Sequence, residues 1–298
     1  MTEMAFGAET GWRRRGLAFL RAILFLALFV AANIAIKTYE MPLHRGIKSF
    51  EGHILVEMVL FGLTAMALTA LMARFSGRAF LAYGLGGAHR LRNLGVGLAA
   101  GIVLLTIQLL LMAALGCFAF GTASPLDTAL LSNALLFAAA FGAVAFTEET
   151  LVRGYVLVEL SRALSFWPAA ILVGLLFGVP HWLKGDGEDL MGGILVALDG
   201  VVMAYAVRVT GSLWFVIGEH AGWDYAQSFL FGVADSGTVS HGALMHPHIA
   251  GPTWLSGGSV GPEGSVLFLL QTLGLAAVAL SLGRRTSRQG GNAVAQAA

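Results

Sequence analysis

Long apolar runs constrain this chain more than any other feature, because about 20 apolar residues suffice to cross the hydrocarbon core of a bilayer as a helix. Eight such runs occur, near residues 16–36, 53–73, 94–120, 128–147, 166–183, 189–207, 211–232 and 264–282. The chain is 57% hydrophobic and only 12% charged, whereas a soluble domain has about 25% charged residues. The pattern excludes a soluble globular fold and predicts an all-α, polytopic membrane protein with about eight transmembrane helices.

The segments between the runs are too short or too polar to form a second domain. The longest, 233–263, is rich in Gly, Ser, Pro and His and lacks apolar periodicity, so we interpret it as one loop on the outer side. The first run follows three arginines but is longer than the core of a signal peptide, which favours an uncleaved span. We predict one integral membrane domain over residues 1–283 and a short, disordered cytoplasmic tail over 284–298.

The distribution of Lys and Arg predicts the orientation of the protein. With the N-terminus inside, 13 of the 18 basic residues fall in inner segments and 4 in outer segments, while Arg21 lies within the first run. Because cytoplasmic loops carry the excess of basic residues, both termini are expected to face the cytoplasm. The formal net charge is only +1, and no basic patch indicates a nucleic-acid partner.

The first candidate cluster is TEETLVRG, on a helical pattern that extends from about 128 to 163. Glu149 and Arg153 are four residues apart and share a helix face, so they can form an ion pair that lowers the cost of burying both charges. Glu148 points about 100° away from that pair. It is therefore the carboxylate without a local partner and the better candidate for a general base. A structural charge network between helices is the alternative interpretation.

The second cluster is FGVPH in the next run. Phe177 and His181 are four residues apart, and Pro180 removes a backbone donor, which predicts a kink just before the histidine. Gly174 and Gly178 form a face of small residues that lets another helix approach closely. A histidine here could simply be a hydrogen-bonded packing residue, so its interpretation depends on which residues surround it.

The third cluster is EHAGWD in the seventh run, where His220 and Asp224 are four residues apart on one helix face. If the fourth and fifth runs form a tight helical hairpin near residue 165, Glu148 and His181 both lie roughly 25 Å along their helices from the turn. Their depths in the membrane are then compatible. We predict that three helices converge on one buried polar chamber.

The motifs EExxxR, FxxxH and HxxxD, in this order on three late spans, resemble the CPBP family of intramembrane proteases. That family includes eukaryotic CAAX prenyl-protein endopeptidases and bacterial homologues linked to bacteriocin processing or immunity. The resemblance covers residues 128–232. It implies an intramembrane endopeptidase in a bacterial cytoplasmic membrane, with a lipidated or membrane-tethered peptide or protein as substrate and the lipid bilayer as its environment.

The resemblance also implies roles for individual residues. Glu148 would activate water with assistance from His181, while His220 and Asp224 would polarise the scissile carbonyl and stabilise the oxyanion. Three supporting residues would shape the site: Glu149, Arg153 and Phe177.

Asp224 departs from the eukaryotic members, which carry Asn at this place. Asn can donate a hydrogen bond to an oxyanion, whereas an ionised Asp cannot. Asp224 would therefore either orient His220 or donate as the protonated acid.

Zinc is the one cofactor that the sequence leaves open. Glu149, or Glu148 in its place, could supply an oxygen ligand, and His181 and His220 could supply nitrogen ligands. The chain has no HExxH motif, and Cys117 is its only cysteine, which excludes a cysteine cluster and an intrachain disulfide. We favour water activation without a metal.

Two other classes of function use the same side chains. Buried Glu and His residues also form proton relays in transporters, and they can serve structurally in a membrane scaffold or immunity protein. Against transport, the two halves of the chain lack paired broken helices. Among other hydrolases, GGSVG at 257–261 fits GxSxG only formally, without a strand-to-helix context. Asp199 and Asp224 lack the flanking patterns of an intramembrane aspartyl dyad.

Overall fold

The computed structural model describes residue 4 and residues 6–39, 45–87, 89–184 and 190–296, with Lys184 and 285–296 described by their backbone only. Helices dominate it: α1 (Trp12–Tyr39), α2 (Phe50–Phe75), α3 (Arg90–Ala114), α4 (Thr128–Glu149), α5 (Leu157–Leu164), α6 (Phe166–Lys184), α7 (Leu190–Thr210), α8 (Leu213–Tyr225), α9 (Thr253–Ser256) and α10 (Phe268–Gln296). Two strands, β1 (Phe118–Ala123) and β2 (Met245–Ile249), complete the regular structure together with short π-helical and 3-10 turns.

The predicted fold class, an all-α polytopic membrane protein, is confirmed. Within the described residues, six helical segments are long and apolar enough to cross a membrane: α1, α2, α3, the continuous helix formed by α4 and α5, α6, and α7. α8 has only 13 residues, and the apolar part of α10, Phe268–Arg284, is also shorter than a full span. The predicted count of eight spans is therefore not confirmed, although helices occur in all eight regions.

Apolar side chains cover the outside of the bundle. Leu20, Leu63 and Leu135 are each more than 60% exposed although they lie on long apolar helices. In water such a surface would be an aggregation hazard, whereas in a bilayer the acyl chains solvate it. The exposed leucines thus mark the surface that faces lipid.

The third run ends earlier than predicted. α3 stops at Ala114 rather than continuing to 120, and Gly116 takes a positive φ of 75° that redirects the chain into β1. Hydrophobicity alone cannot distinguish the last turns of a helix from a buried strand, because both are rich in apolar residues. Phe118 is only 6% exposed, so its apolar character reflects burial within the protein rather than contact with lipid.

The segment 233–263, predicted as one loop on the outer side, contains regular structure. It contains β2, α9 and a 3-10 turn at Pro262–Gly264. β2 pairs antiparallel with β1, with Phe118 opposite Ile249, and the register shifts where Gly121 has a φ of 69°. A Cβ atom at Gly121 would collide with the His246 carbonyl oxygen, so glycine is required at this close approach. Pairing with a distant strand is a tertiary effect that the local sequence did not reveal.

The C-terminal segment continues the last helix. The backbone of α10 remains helical to Gln296, where we expected a disordered tail, while residues 297 and 298 lie outside the described residues. Extending an existing helix requires no new nucleation, and Ala, Arg and Gln favour the helical state.

Glycines bring the helices that carry the site into close contact. A Cβ atom at Gly178 on α6 would lie 2.5 Å from the Gly193 carbonyl oxygen on α7. The small-residue face predicted on the fifth run is therefore confirmed, and α7 is the helix that approaches it. On α8, a Cβ atom at Gly222 would crowd the backbone of Leu98 on α3. This contact holds α8 at a fixed distance and rotation, which sets the direction of its polar side chains.

The predicted hairpin between the fourth and fifth runs is present. α5 ends at Leu164 and α6 begins at Phe166, and Ser165 between them has a φ of 88°. Towards this end of the hairpin, stacked rings of Phe25, Tyr155 and Tyr83 join α1 to the π-helical turn Thr150–Val156 that precedes α5, with ring centroids 4.4 and 4.8 Å apart. The hairpin turn therefore lies beside packed aromatic rings and away from the three polar motifs.

Candidate active site

Both acidic motifs are followed by a π-helical turn. One turn, Thr150–Val156, begins directly after Glu149, and the other, Ala226–Leu230, begins just after Tyr225. A π-helical turn inserts an extra residue into a helix, which rotates the side chains on either side relative to each other, and such turns are frequent at functional sites. Here the two turns set the directions of the carboxylates on α4 and α8.

Glu149 is the centre of the polar cluster. Its Oε1 accepts hydrogen bonds from Arg153 Nη1 on the adjoining turn and from His220 Nδ1 on α8, the latter at 2.9 Å. The Glu149 and Arg153 side chains are 0% and 1% exposed. The ion pair predicted from their spacing is thus present and buried, and it extends to a histidine 71 residues away in sequence.

The tautomer of His220 follows from this contact. A carboxylate that is paired with a guanidinium can only accept, so His220 Nδ1 carries the proton in the bond to Glu149. The other nitrogen, Nε2, lies 3.4 Å from Asp224 Oδ2 and 4.0 Å from Glu148 Oε2. The carboxylate bound to Nδ1 is therefore Glu149, while Asp224, for which the sequence predicts an orienting role, lies beside Nε2.

Glu148 differs from Glu149 in burial. Its side chain is 33% exposed, and its contact with His220 Nε2 is too long for a hydrogen bond. The preceding Thr147 donates to the Met58 carbonyl oxygen at 2.8 Å, which fixes this part of α4 against α2. The backbone of Glu148 is therefore fixed, while its carboxylate is partly exposed and lines a cavity.

On α6, His181 Nδ1 lies 2.6 Å from the Phe177 carbonyl oxygen, one turn earlier. A carbonyl oxygen can only accept, so Nδ1 is the donor and Nε2 of the neutral ring is left as an acceptor. The centroid of the Phe177 ring lies 5.0 Å from that of His181, four residues along the same helix, and the Arg153 guanidinium lies 4.6 Å from the centroid of the Phe177 ring. Phe177 therefore links α6 to the buried ion pair through a cation–π contact.

One cavity of about 280 Å³ joins these groups. All seven residues singled out in the sequence line it: Glu148, Glu149, Arg153, Phe177, His181, His220 and Asp224. One wall is apolar and comes from α2 and α4, through Phe50, Ile54, Met58, Phe141 and Val144. The three motifs, far apart in the chain, thus face a common hollow with one apolar and one polar wall.

Several polar residues of the cavity were not identified as site residues from the sequence. Glu219 on α8 accepts a hydrogen bond from Gln271 on α10 at 2.8 Å, and Asp199 on α7 accepts one from Thr272 at 3.0 Å. From the sequence, Asp199 is either an aspartyl-dyad candidate or a partner that links helices, and its bond to Thr272 joins α7 to α10. A polar residue inside an apolar run was the available signal for Glu219 and Gln271, because such residues rarely face lipid.

The segment 233–263 forms the rim of the cavity. Glu263 accepts hydrogen bonds from Trp223 Nε1 at 3.2 Å and from Ser236 at 2.8 Å, and Asp235 accepts one from Ser228 at 3.0 Å. Four of these residues lie on the cavity wall: Trp223, Asp235, Ser236 and Glu263. A segment that we interpreted as a loop therefore closes the site from one side.

The zinc hypothesis finds little support in the donor geometry. No group of three or more His, Cys, Asp or Glu residues in the described part of the chain is arranged to hold a metal ion. Glu149 Oε1 already binds Arg153 and His220, and only its Oε2 is buried without a hydrogen-bond partner among the described residues. A guanidinium beside the ligand carboxylate repels a second cation. Glu149, engaged by Arg153 and His220, is therefore a poor zinc ligand in this arrangement.

Comparison with known families gives one match. Residues 130–226 match the family model described as type II CAAX prenyl endopeptidase, Rce1-like. This segment contains all three motifs, so the family predicted from them is confirmed. No significant match is found among curated proteins or among solved structures.

Proposed function

We propose that the chain hydrolyses a peptide bond inside its membrane-embedded cavity, because residues 130–226 match the family model of Rce1-like type II CAAX prenyl endopeptidases and the chain is a multi-pass membrane protein. The family match supports a CAAX-type intramembrane protease. The observation that carries the residue-level proposal is the 2.9 Å bond between Glu149 and His220, which ties two motifs together at one cavity.

Glu148 is the proposed general base. Its partly exposed carboxylate faces the cavity and can take a proton from a water molecule as the water oxygen attacks the scissile carbonyl carbon. His181 assists, since its Nε2 is an acceptor that can hold the second hydrogen of that water. Collapse of the tetrahedral intermediate breaks the C–N bond, and Glu148 returns its proton to the leaving amine.

His220 and Asp224 form the proposed oxyanion side. Glu149 holds the His220 ring through Nδ1, so Nε2 faces the cavity. A proton on Nε2 would donate to the oxyanion, and the carboxylates of Glu148 and Asp224, within 4.0 Å of that nitrogen, would stabilise the resulting imidazolium. Glu149 and Arg153 act as positioning residues, because they touch His220 and Phe177 rather than the reacting atoms.

The two walls of the cavity suit a lipidated or membrane-tethered peptide. The polar wall holds the peptide bond and the water, while the apolar wall from α2 and α4 can accept a hydrocarbon chain. We further propose that the protein lies in the cytoplasmic membrane of a bacterium with both termini in the cytoplasm, as the distribution of Lys and Arg indicates.

A cleavage assay tests this function. The purified protein in detergent is given a prenylated peptide and the same peptide without the prenyl group, and Glu148→Ala, His181→Ala and His220→Ala variants are compared with it. We expect cleavage by the wild type and a loss of about 10²-fold or more in each variant, with thermal unfolding showing that the variants remain folded. A Glu148→Ala variant that cleaves as fast as the wild type would refute the proposed base.

A further inference from the structure

A second cavity, of about 240 Å³, lies at the end of the bundle where α1 begins and where α2 and α5 end. Six residues line it: Glu9, Arg14, Leu17, Arg21, Ser76 and Arg162. None of them lines the catalytic cavity. We propose that this second cavity binds the phosphate group of an anionic phospholipid, a function that does not depend on peptide hydrolysis.

The charges in this cavity favour an anion. Three guanidinium groups face one carboxylate, and that carboxylate, Glu9, is engaged by Arg162 at 2.6 Å. Arg162 is further held by Glu159, whose side chain is fully buried, at 2.7 Å. Arg14 and Arg21 form no ion pair with a carboxylate of the described residues. Two guanidinium groups therefore remain for a phosphate, whose several oxygens match their donors.

The spacing along α1 places these groups together. Arg14, Leu17 and Arg21 are three and four residues apart and so lie on one face of the helix, with the two arginines about 10 Å apart along its axis. Arg21 Nη2 donates to the Phe75 carbonyl oxygen at 2.8 Å, which fixes the guanidinium at the end of α2. Long arginine side chains can reach a single phosphate between them from these positions.

The same face of α1 indicates a lipid rather than free phosphate. It continues towards the middle of the helix through Leu24 and Leu28, which are 50% and 38% exposed. The acyl chain of a lipid could lie along these leucines while the lipid headgroup occupies the cavity. Inorganic phosphate has no apolar surface to bury against them, so they would not increase its affinity. In the proposed orientation this end faces the cytoplasm, and anionic lipids are abundant in the cytoplasmic leaflet.

The experiment measures thermal unfolding of the full chain in detergent, titrated with phosphatidylglycerol, phosphatidylcholine or inorganic phosphate. We expect phosphatidylglycerol alone to raise the unfolding temperature. Arg14→Gln should weaken the apparent affinity of the protein for phosphatidylglycerol roughly fivefold. The double variant Arg14→Gln/Arg21→Gln should weaken it by roughly the square of that factor. Arg13→Gln is the matched control, because it removes the same charge from the neighbouring residue, which does not line the cavity.

Three results would overturn the proposal. Equal stabilisation by phosphatidylcholine would show that the headgroup charge is not recognised. Equal stabilisation by inorganic phosphate would show that the cavity is an anion site without lipid specificity. If Arg14→Gln and Arg13→Gln bind phosphatidylglycerol equally well, this cavity is not the binding site. That comparison uses single variants only, so it is decisive even if the double variant unfolds because the bond from Arg21 to Phe75 is lost. Peptidase activity is not a readout, so failure here leaves the proposed hydrolysis untouched.

Discussion

Replacing each of the two adjacent glutamates with glutamine should separate stability from catalysis. Glu149 is fully buried, and its Oε1 binds both Arg153 and His220. Glu149→Gln removes the charge that compensates a guanidinium only 1% exposed. Breaking a buried ion pair on one side costs about 3–5 kcal/mol, a large part of the total stability of about 5–15 kcal/mol that is typical of proteins.

Glu148→Gln, by contrast, should leave the fold almost unchanged. Its side chain is one-third exposed, and its only ionic contact among the described residues is 4.0 Å long, so the free energy of unfolding should change by less than about 1 kcal/mol. Loss of a general base, however, should reduce the rate of cleavage by about 10²–10⁴-fold. Unfolding by a denaturing detergent and cleavage of one peptide, measured on both variants, give the two quantities.

A double variant then tests the positioning role of Glu149. In Glu149→Leu/Arg153→Met the whole buried pair is replaced by apolar groups, which is often neutral for stability. We expect stability close to that of the wild type, while cleavage stays low because His220 Nδ1 has lost its acceptor. The reasoning is refuted if the two single variants are equally stable, or if the double variant regains both stability and activity.

Four further predictions follow from the same contacts. Asp224→Asn should keep cleavage within about tenfold of the wild type, because an amide 3.4 Å from His220 Nε2 can itself donate to the oxyanion; complete loss would identify Asp224 as an ionised partner of the histidine. A chelator should leave cleavage unchanged, and restoration of a lost activity by added zinc would contradict this. The hydrogen bond from Arg162 lowers the pKa of Glu9, so the stabilisation from this pair is present above the ordinary carboxyl pKa and is lost as the pH falls through the lowered value. Glu9→Gln should therefore reduce the loss of stability on acidification below the ordinary carboxyl pKa. Single cysteines added at either terminus of a Cys117→Ser variant should resist a membrane-impermeant reagent in intact cells, and labelling of either terminus would contradict the predicted orientation.

The helical framework could be predicted because hydrophobicity is a local property. Each long apolar run gave a helix at the expected place, and the hairpin at Ser165 and the ion pair between Glu149 and Arg153 followed from spacing alone. The end of α3 could not be predicted, because the apolar residue Phe118 is buried in a strand rather than exposed to lipid. A hydropathy pattern does not distinguish residues that face lipid from residues buried inside the protein.

The residues of the site likewise divide into those that the sequence identified and those that it did not. Three short motifs identified seven residues of the cavity, because ionisable groups are rare in apolar runs and therefore conspicuous. The rim residues Ser236 and Glu263 carried no such signal, since polar residues are ordinary in a segment rich in Gly and Ser. They lie beside the cavity because the segment 233–263 folds against α8, where Glu263 binds Trp223.

By itself, the sequence determined that the chain is a helical membrane protein and which family its central segment resembles. It also determined which side chains within each helix share a face, because helical periodicity fixes those relations over a few residues. Only the tertiary structure decided that Glu149, rather than Asp224, accepts the proton of His220 Nδ1. That outcome depends on the rotation of α4 against α8, which is set by helix packing and by two π-helical turns, and neither is encoded in the spacing of any single motif.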